Sequence, residues 1–258
     1  MKQLTNENYF SLENQMMYMG VSQFKAFEKC EAAALAEITG NFERERTTAL
    51  LVGSYVDAHF EGSLDVFKAK NPQLFKKNGE LKSEYIKAEE IISRVERDPL
   101  FMYYMNGEKQ VIMTGKIEGV PVKIKIDSYH PEKMIVDLKI MKDFQPIYIE
   151  EKGRMSWIEA WGYDLQGAVY QEIVRQNTGL KLPFYIAAAT KEKEPDLDLF
   201  EIPQPYLDVE LGRFKENIQR YDGIKNKIFE PERCGHCDYC KATKVLTAPK
   251  SLEVLNYE

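Results

Sequence analysis

Two neighbouring segments, Val122–Tyr129 and Met134–Ile140, alternate apolar side chains with other side chains residue by residue. Alternation with a period of two in segments rich in β-branched residues is typical of β-strands with one buried face. The stretch between them, His130–Lys133, contains Pro131 and favours a turn. The two segments are therefore predicted to form a half-buried antiparallel hairpin.

The same alternation brings acidic side chains together. If both apolar faces meet one core, even-numbered residues must pair with even-numbered ones, and one such register sets Asp127 opposite Asp137. Facing carboxylates repel each other, and a bridging divalent cation would remove that repulsion. Clustered oxygen ligands suit Mg²⁺ or Mn²⁺. Lys139 points to the same side and could reach a phosphate oxygen or an attacking water. The alternative is a surface hairpin with scattered charges.

Length and composition limit the class of protein. The 258 residues, 44% of them hydrophobic, predict a single domain over residues 1–258 with enough apolar side chains for a core. No run is long enough for a membrane span, and the polar start Met1–Glu7 does not resemble a signal peptide, so a cytoplasmic location is expected. A net charge of −6 argues against a general polyanion binder but not against a nuclease.

Capping residues, glycines and prolines divide the rest of the chain into elements. Ser22 is predicted to cap the first helix, and Gly40 and Gly179 to end two of the helices. Helices are predicted over residues 23–38, 47–61, 83–98, 156–177 and 205–227, and further strands over 110–117, 183–190 and 198–202. This order indicates an α/β or α+β fold, a mixed sheet flanked by helices.

Two helices carry further polar candidates. Gln166 and Tyr170 are four residues apart and share a helix face, where they could orient a phosphate or support the metal cluster. Gly53 lies in a predicted helix although glycine costs about 1 kcal/mol there, which is better tolerated where something approaches the backbone closely. Asp57 or His59 from that helix could supply a third metal ligand. Taken alone, each of these residues could equally be an ordinary core or surface residue.

Four cysteines are the second strong signal. Cys234, Cys237 and Cys240 form a C-x₂-C-x₂-C cluster, and Cys30 lies about two hundred residues upstream. Four thiolates would suit Zn²⁺ or an iron–sulfur cluster, while a disulfide is the less expected use in an intracellular protein. His236 stands between two ligands and is expected to point away. The alternative is three free thiols in a flexible tail.

Together these motifs resemble the PD-(D/E)XK nuclease superfamily, and in particular the phage and prophage exonucleases of the RecE (exonuclease VIII) type. The likeness runs from about Val21 to Lys244 and rests on I-D-x₉-D-L-K at Ile126–Lys139, Q-x-x-x-Y at Gln166–Tyr170 and a glycine-led helix upstream. It implies a restriction-endonuclease-like α/β core with a central mixed sheet flanked by helices.

The resemblance also implies roles for individual residues. Asp127 and Asp137 would bind Mg²⁺, Lys139 would assist catalysis, and Gln166 and Tyr170 would accompany the site. RecE-type sequences often have G-[ST]-x-x-H, with the histidine contacting the metal, whereas Gly53–Asp57 ends in aspartate. The third ligand thus stays open between Asp57 and His59, two residues further on.

Cys30 and the three cysteines at 234, 237 and 240 are similar in arrangement to those of AddB-type and CRISPR-adaptation nucleases, whose iron–sulfur cluster clamps the chain ends. The resemblance implies that residues 234–240 close onto Cys30 around a [4Fe–4S] cluster, with Zn²⁺ as the alternative. The late cysteine spacing departs from the usual form in those proteins, in which the last cysteine lies further away.

The resulting functional hypothesis is a Mg²⁺-dependent DNA exonuclease that converts the ends of linear double-stranded DNA to single strands for phage-type homologous recombination. A RecT-type annealing protein would be its partner, and a homo-oligomeric ring around DNA would be one assembly. The alternatives are a CRISPR-adaptation or helicase-associated repair nuclease with an iron–sulfur cluster, and a non-catalytic, metal-stapled DNA-binding domain.

Overall fold

The computed structural model describes residues 4–45, 47–150 and 152–249. In these ranges seven α-helices precede five strands, and two helices, two strands and two further helices follow. The α-helices are Leu12–Met17 (α1), Val21–Lys29 (α2), Glu31–Ile38 (α3), Thr48–Phe60 (α4), Leu64–Lys70 (α5), Ser83–Glu96 (α6), Pro99–Met105 (α7), Trp157–Ala160 (α8), Tyr163–Thr178 (α9), Gln204–Lys225 (α10) and Asp238–Ala242 (α11), and Pro72–Leu74 is a 3₁₀ turn.

The strands are Glu108–Ile117 (β1), Val120–His130 (β2), Met134–Met141 (β3), Ile147–Ile149 (β4), Gly153–Met155 (β5), Phe184–Thr190 (β6) and Leu197–Glu201 (β7). Within the described residues, five of them form a sheet in the order β1-β2-β3-β6-β7, and β4 pairs with β5 separately. Only β3 and β6 pair in parallel among these neighbours. The predicted α/β class, a mixed sheet flanked by helices, is therefore confirmed.

The predicted hairpin is present, and even-numbered residues pair with even-numbered ones, as in Ser128 with Val136. The ladder ends at that pair, and the same register continued by one residue sets Asp127 opposite Asp137. Ile126 and Tyr129 belong to the same core cluster although their numbers differ in parity. The apolar pattern of β2 thus shifts by one residue next to Asp127.

The prediction that both apolar faces meet one core is wrong. Helices α2, α9 and α10 form one core with β1 and β2, whereas α4, α6 and α7 form a second core with β3 and β6. Ile135 of β3 is fully buried in the first core and Val136 is fully buried in the second. The strand β3 is therefore buried on both faces and not half-buried, as is usual where helices cover both sides of a sheet.

The helix predicted over residues 23–38 is two helices. Cys30 has an extended backbone, with φ −167° and ψ 109°, and separates α2 from α3. Gly20, and not Ser22, precedes the first helical residue. The break turns the Cys30 thiol towards Cys240, to which its sulfur lies 3.6 Å away.

The helix predicted over residues 156–177 is also divided. Gly162 has φ +62°, a left-handed conformation that glycine adopts without strain, and it separates α8 from α9. Gly179 ends α9 with φ +79°, as predicted. Four short helices, α1, α5, α7 and α11, are absent from the predicted elements. Pro99 begins α7 on an Asp98 cap, so this proline starts a new helix as well as closing the one before it.

None of the helices in the described ranges is long and apolar enough to cross a lipid bilayer.

Candidate active site and cysteine cluster

A cleft of about 240 Å³ opens where helices from both layers meet the sheet. The helix α4 approaches from one side, and α2 and α9 approach from the other. All six side chains predicted from the motifs line this cleft: Asp57, Asp127, Asp137, Lys139, Gln166 and Tyr170. The structure thus brings together residues that are separated by more than a hundred positions in the chain.

Asp137 is held at both carboxylate oxygens. Asp137 is only 2% exposed. Gln166 Nε2 donates a hydrogen bond to Oδ1 at 2.5 Å, and the Lys139 ammonium forms an ion pair with Oδ2. The carboxylate is therefore fixed in orientation by one neutral and one charged partner.

Asp127 is held from the neighbouring strands. The backbone N–H of Leu138 donates to Oδ2 at 3.0 Å, and Gln110 Nε2 donates to Oδ1 at 3.3 Å. Burial, followed by repulsion from Asp137, raises the pKa of Asp127 to about 7. Gln110 Oε1 is buried and has no hydrogen-bond partner within the described residues.

Asp57 and His59 have different surroundings. Asp57 lines the cleft, and burial followed by repulsion from Asp127 raises the pKa of its carboxyl well above the ordinary value. His59 is absent from the cleft lining within the described chain, and its Nε2 lies 2.8 Å from Glu96 Oε1. The geometry favours Asp57 as the third candidate ligand.

Lys139 remains a cation in this setting. Burial alone would lower the pKa of its ammonium, but the Asp137 and Asp127 carboxylates outweigh burial and raise it. Its Nζ also lies 4.8 Å from the ring centroid of Tyr163. Lys139 can therefore orient an anion or a water molecule by its charge.

Gln166 and Tyr170 connect α9 to two different strands. Gln166 reaches Asp137 on β3, and the Tyr170 hydroxyl donates to the backbone oxygen of Lys125 on β2 at 3.0 Å. Gln166 is therefore not the solvated residue that the alternative interpretation expected, whereas Tyr170 does pack in the first core as that interpretation expected, and its hydroxyl also bonds to β2. Together they fix the separation of the strands that carry the acids.

Sequence reasoning missed the basic and aromatic part of the cleft. Lys25, Lys123, Lys125, Tyr9 and Phe10 all line it. The lysines of β2 are visible in the sequence as the alternate face of the strand, but the alternation assigns them no role. The other residues lie in segments whose position relative to the hairpin depends on tertiary contacts that no local pattern contains.

Lys25 has a distinct environment among these residues. Its Nζ donates to the carbonyl oxygen of Trp161 at 3.0 Å and lies 3.4 Å from that of Gly162. Burial, then repulsion from Lys139, lowers the pKa of Lys25 to about 8. This lysine therefore joins α2 to the break between α8 and α9 at the edge of the cleft.

The acids of the cleft fit a divalent cation by their chemistry. Three carboxylates line one cleft, and burial and mutual repulsion raise the pKa of Asp127 and of Asp57, a penalty that a bound cation would relieve. The four cysteines are the other set of candidate ligands in the described residues, and their sulfurs all lie within 4.8 Å of one another. Asp57, Asp127 and Asp137 are the residues that would hold the ion.

The four cysteines form a compact cluster without disulfides. Cys240 Sγ lies 3.6 Å from Cys30 Sγ and 3.9 Å from Cys234 Sγ. The backbone N–H of Cys237 donates to Cys234 Sγ and lowers the pKa of that thiol to about 6, which favours the thiolate that a metal requires. The donor set fits a soft metal, and His236 points away from it, with Nδ1 3.0 Å from the Cys234 carbonyl oxygen.

Ionic contacts fix the chain that leads into the cluster. Arg220 donates two hydrogen bonds to the Glu31 carboxylate, at 2.6 and 2.8 Å. The N–H of Glu232 donates to the same carboxylate at 2.7 Å, and the N–H of Ala32 donates to the Glu232 carbonyl at 3.0 Å. These contacts bring the segment before Cys234 alongside the start of α3, next to Cys30.

Comparison with known proteins agrees with this geometry. The family model described as "PDDEXK-like domain of unknown function (DUF3799)" matches residues 20–243. A crystal structure from Eubacterium rectale, described as a "Putative exonuclease", is 49% identical, with a TM-score of 0.96 over 100% of this chain and 99% of that chain. The structure of SSO0001 aligns with 78% of this chain and 87% of that chain at 12% identity and a TM-score of 0.28, a level at which no relationship is inferred. No curated protein matches the chain in a sequence search.

The motif around Asp127, Asp137 and Lys139, the mixed sheet that carries it and a family match over residues 20–243 lead to one conclusion. The chain belongs to the PDDEXK-like family DUF3799, within the fold class of the PD-(D/E)XK nucleases.

Proposed function

We propose that the chain is a Mg²⁺- or Mn²⁺-dependent DNA exonuclease that hydrolyses phosphodiester bonds at the ends of linear double-stranded DNA and leaves single strands. The observation that carries the proposal is the convergence of Asp57, Asp127, Asp137 and Lys139 in one cleft. The description of the E. rectale protein as an exonuclease, at 49% identity, supports it.

Each side chain has a role in this proposal. Asp57, Asp127 and Asp137 bind the metal, which when bound supplies an activated water and neutralises charge on the phosphate. Lys139 stays protonated and orients the phosphate or the water by its charge. Gln166 fixes the Asp137 carboxylate, and Tyr170 fixes the strand that carries Asp127.

Digestion of linear duplex DNA with and without Mg²⁺ tests the activity. We expect the wild type to release nucleotides from linear DNA and to leave closed circular DNA intact. Asp137→Asn should lose at least about a hundredfold in rate, since it removes a group that binds the metal. Asp208→Asn is the matched control, because Asp208 is exposed on α10 and pairs with Lys181.

Two outcomes would contradict the proposal. If wild-type protein that is folded leaves linear DNA intact with either metal, the site is not catalytic and a metal-stapled DNA-binding role replaces it. If closed circular DNA is cut as fast as linear DNA, the enzyme is an endonuclease.

We further propose that the product strands enter phage-type homologous recombination, with a RecT-type annealing protein as partner and a homo-oligomeric ring as the working assembly. The support is the likeness of the motifs at Ile126–Lys139 and Gln166–Tyr170 to RecE-type exonucleases. Light scattering with and without DNA measures the assembly, and co-purification with an annealing protein tests the partner. A monomer on DNA would exclude the ring.

We propose Zn²⁺ for the four cysteines. Tetrahedral Zn²⁺ with metal–sulfur bonds of about 2.3 Å separates its sulfurs by roughly 3.8 Å, which matches the 3.6 and 3.9 Å of Cys240 to Cys30 and Cys234. An iron–sulfur cubane binds each thiolate to a different iron and so holds the sulfurs further apart.

Metal analysis after anaerobic purification tests this assignment. One zinc per chain and no visible absorbance are expected. If the protein is brown and contains iron, the cysteines bind a [4Fe–4S] cluster and not zinc. That result would favour the alternative of a CRISPR-adaptation or helicase-associated repair nuclease.

A further inference from the structure

Phe10 is an exposed aromatic residue in the wall of the cleft. Of the aromatic residues that line the cleft in the described chain, Tyr9 and Tyr170 are 7% and 9% exposed, whereas Phe10 is 64% exposed. Its ring adds no apolar burial to either core. An aromatic face open to the cleft that holds the acids is suited to a flat ligand bound beside them.

The segment that carries Phe10 is fixed by hydrogen bonds. Gln15 Nε2 donates to the Phe10 carbonyl at 3.1 Å, and Gln23 Nε2 of α2 donates to the Gln15 carbonyl at 2.9 Å. The ring of Tyr9 meets that of Phe10 edge-on, with centroids 4.9 Å apart, and Lys123 Nζ donates to the Tyr9 carbonyl. The backbone that carries the Phe10 ring is therefore fixed before any ligand arrives, which reduces the entropy lost on binding.

Cations accompany the ring. Lys125 Nζ lies 5.6 Å from the ring centroid of Phe10 and 5.8 Å from that of Tyr9. The backbone of Lys125 is anchored by the Tyr170 hydroxyl, and the strand continues two residues further to Asp127. In a chain with a net charge of −6, this part of the cleft combines a cation with an aromatic face. A nucleotide presents the complementary pair, a phosphate and a planar base.

We propose that Phe10 stacks on the base of the nucleotide next to the scissile phosphate while Lys125 binds the adjoining phosphate. A base inside a duplex is stacked on both faces, so a base can offer a free face to Phe10 only at the end of a duplex or in a single strand. The cleft would thus accept a terminal or frayed nucleotide of a DNA end. This inference rests on the proposed nuclease function and specifies its substrate.

A fluorescent end base tests the stacking without cleavage. An oligonucleotide with 2-aminopurine at its terminal position is titrated with wild type, Phe10→Ala, Phe10→Tyr and Leu12→Ala in EDTA. Stacking quenches 2-aminopurine, so wild type and Phe10→Tyr should quench it. Phe10→Ala should fail to quench and should bind about tenfold more weakly, within the range for one base–aromatic stack. Leu12 is the matched control, because it is 56% exposed on the same segment but does not line the cleft.

Unchanged quenching in Phe10→Ala would overturn the proposal. An equal loss of quenching in Leu12→Ala would also overturn it, because the effect would then come from the folding of the segment.

Degradation rates with Mg²⁺ supply the second measurement. Phe10→Ala should be about tenfold slower than wild type on ordinary ends and equal to it on ends with abasic terminal nucleotides.

The two proposals fail in different ways. Wild type that quenches the end base but never degrades DNA would refute the nuclease function and leave the stacking site. Wild type that degrades DNA, with Phe10→Ala indistinguishable in quenching and in rate, would refute the stacking site alone. Wild type that neither binds nor degrades DNA would refute both.

Discussion

Asp127 and Asp137 face each other, but only Asp137 has a cation as its direct partner. Lys139 forms an ion pair with Asp137, while Asp127 accepts hydrogen bonds from a backbone N–H and from the Gln110 amide. Burial raises the pKa of Asp127 to about 7, so its neutral form suits the metal-free fold. At the residue scale, the protonation of Asp127 therefore links the stability of the fold to pH and to metal binding.

Asp127→Asn should therefore stabilise the metal-free protein at high pH. A carboxyl whose pKa is raised from about 4 to about 7 favours folding below pH 4 and loses that contribution as the pH rises through 7. We expect Asp127→Asn in EDTA to have a free energy of unfolding that, relative to wild type, is higher at pH 8 than at pH 4.5 by about 3 kcal/mol. Thermal denaturation at both pH values measures it. Asp208→Asn on the surface should show no such gain, and an equal effect of Asp127→Asn at both pH values would contradict the prediction.

Gln166→Ala should weaken metal binding without unfolding the protein. The amide orients the Asp137 carboxylate at 2.5 Å, and loss of such an outer contact typically costs about 10–100-fold in metal affinity. Isothermal titration with Mn²⁺ measures the change. Gln176→Ala is the control on the same helix, because Gln176 bonds to the Lys116 backbone outside the cleft. If both variants bind Mn²⁺ with equal affinity, Gln166 does not support the metal site.

At the scale of elements, the sequence located most helices and strands but not the breaks within them. The break at Gly162 carried a local signal, since glycine alone adopts φ +62° without strain. The break at Cys30 carried none, because cysteine has no particular preference for the end of a helix. It follows from the contacts of the Cys30 thiol with Cys240 and of the Glu31 carboxylate with Arg220, both of which join residues far apart in the chain.

Replacing each of two helix glycines by alanine should change the stability of the fold in opposite directions. A β-carbon on Gly167 of α9 would lie 2.5 Å from the Phe184 ring, so Gly167→Ala should destabilise the fold by about 1–3 kcal/mol. A β-carbon on Gly53 of α4 would have no neighbour within 4 Å, so Gly53→Ala should stabilise the fold by about 0.5–1 kcal/mol. Urea denaturation measures both. A stabilising Gly167→Ala would contradict the close packing of α9 on β6.

At the scale of the whole molecule, the α/β class and the motif residues of the cleft were predictable, whereas its basic and aromatic wall and the number of cores were not. Alternation in β2 indicated one buried face, yet the Asp137-bearing strand β3 is buried on both. Odd-numbered Ile135 in β3 was the available sign that the second face is apolar too. Which helices cover each face depends on long-range packing, which strand alternation does not encode.

The cysteine cluster should contribute to the stability of the whole fold. A metal that binds only the folded chain stabilises it by an amount that grows with the logarithm of the free metal concentration, so chelation should lower the melting temperature. We expect Cys240→Ser to lose most bound metal and to melt at least about 5 °C lower, which corresponds to a loss of 1–2 kcal/mol. Metal content and calorimetry check this. His236→Ala, an exposed neighbour outside the ligand set, should match wild type, and a Cys240→Ser protein that retains both metal and stability would contradict the expectation.

The distance in sequence between Cys30 and Cys240 also sets an order of events during protein synthesis. Cys30 leaves the ribosome early, but its thiolate partners at 234, 237 and 240 follow about two hundred residues later. The helix α2 ends at Cys30, so a metal bound by all four cysteines can tie this end of the helix only after they emerge. A chain released before residue 234 would therefore carry all its acidic ligands and the core contacts of α2, and would still lack the metal link at Cys30.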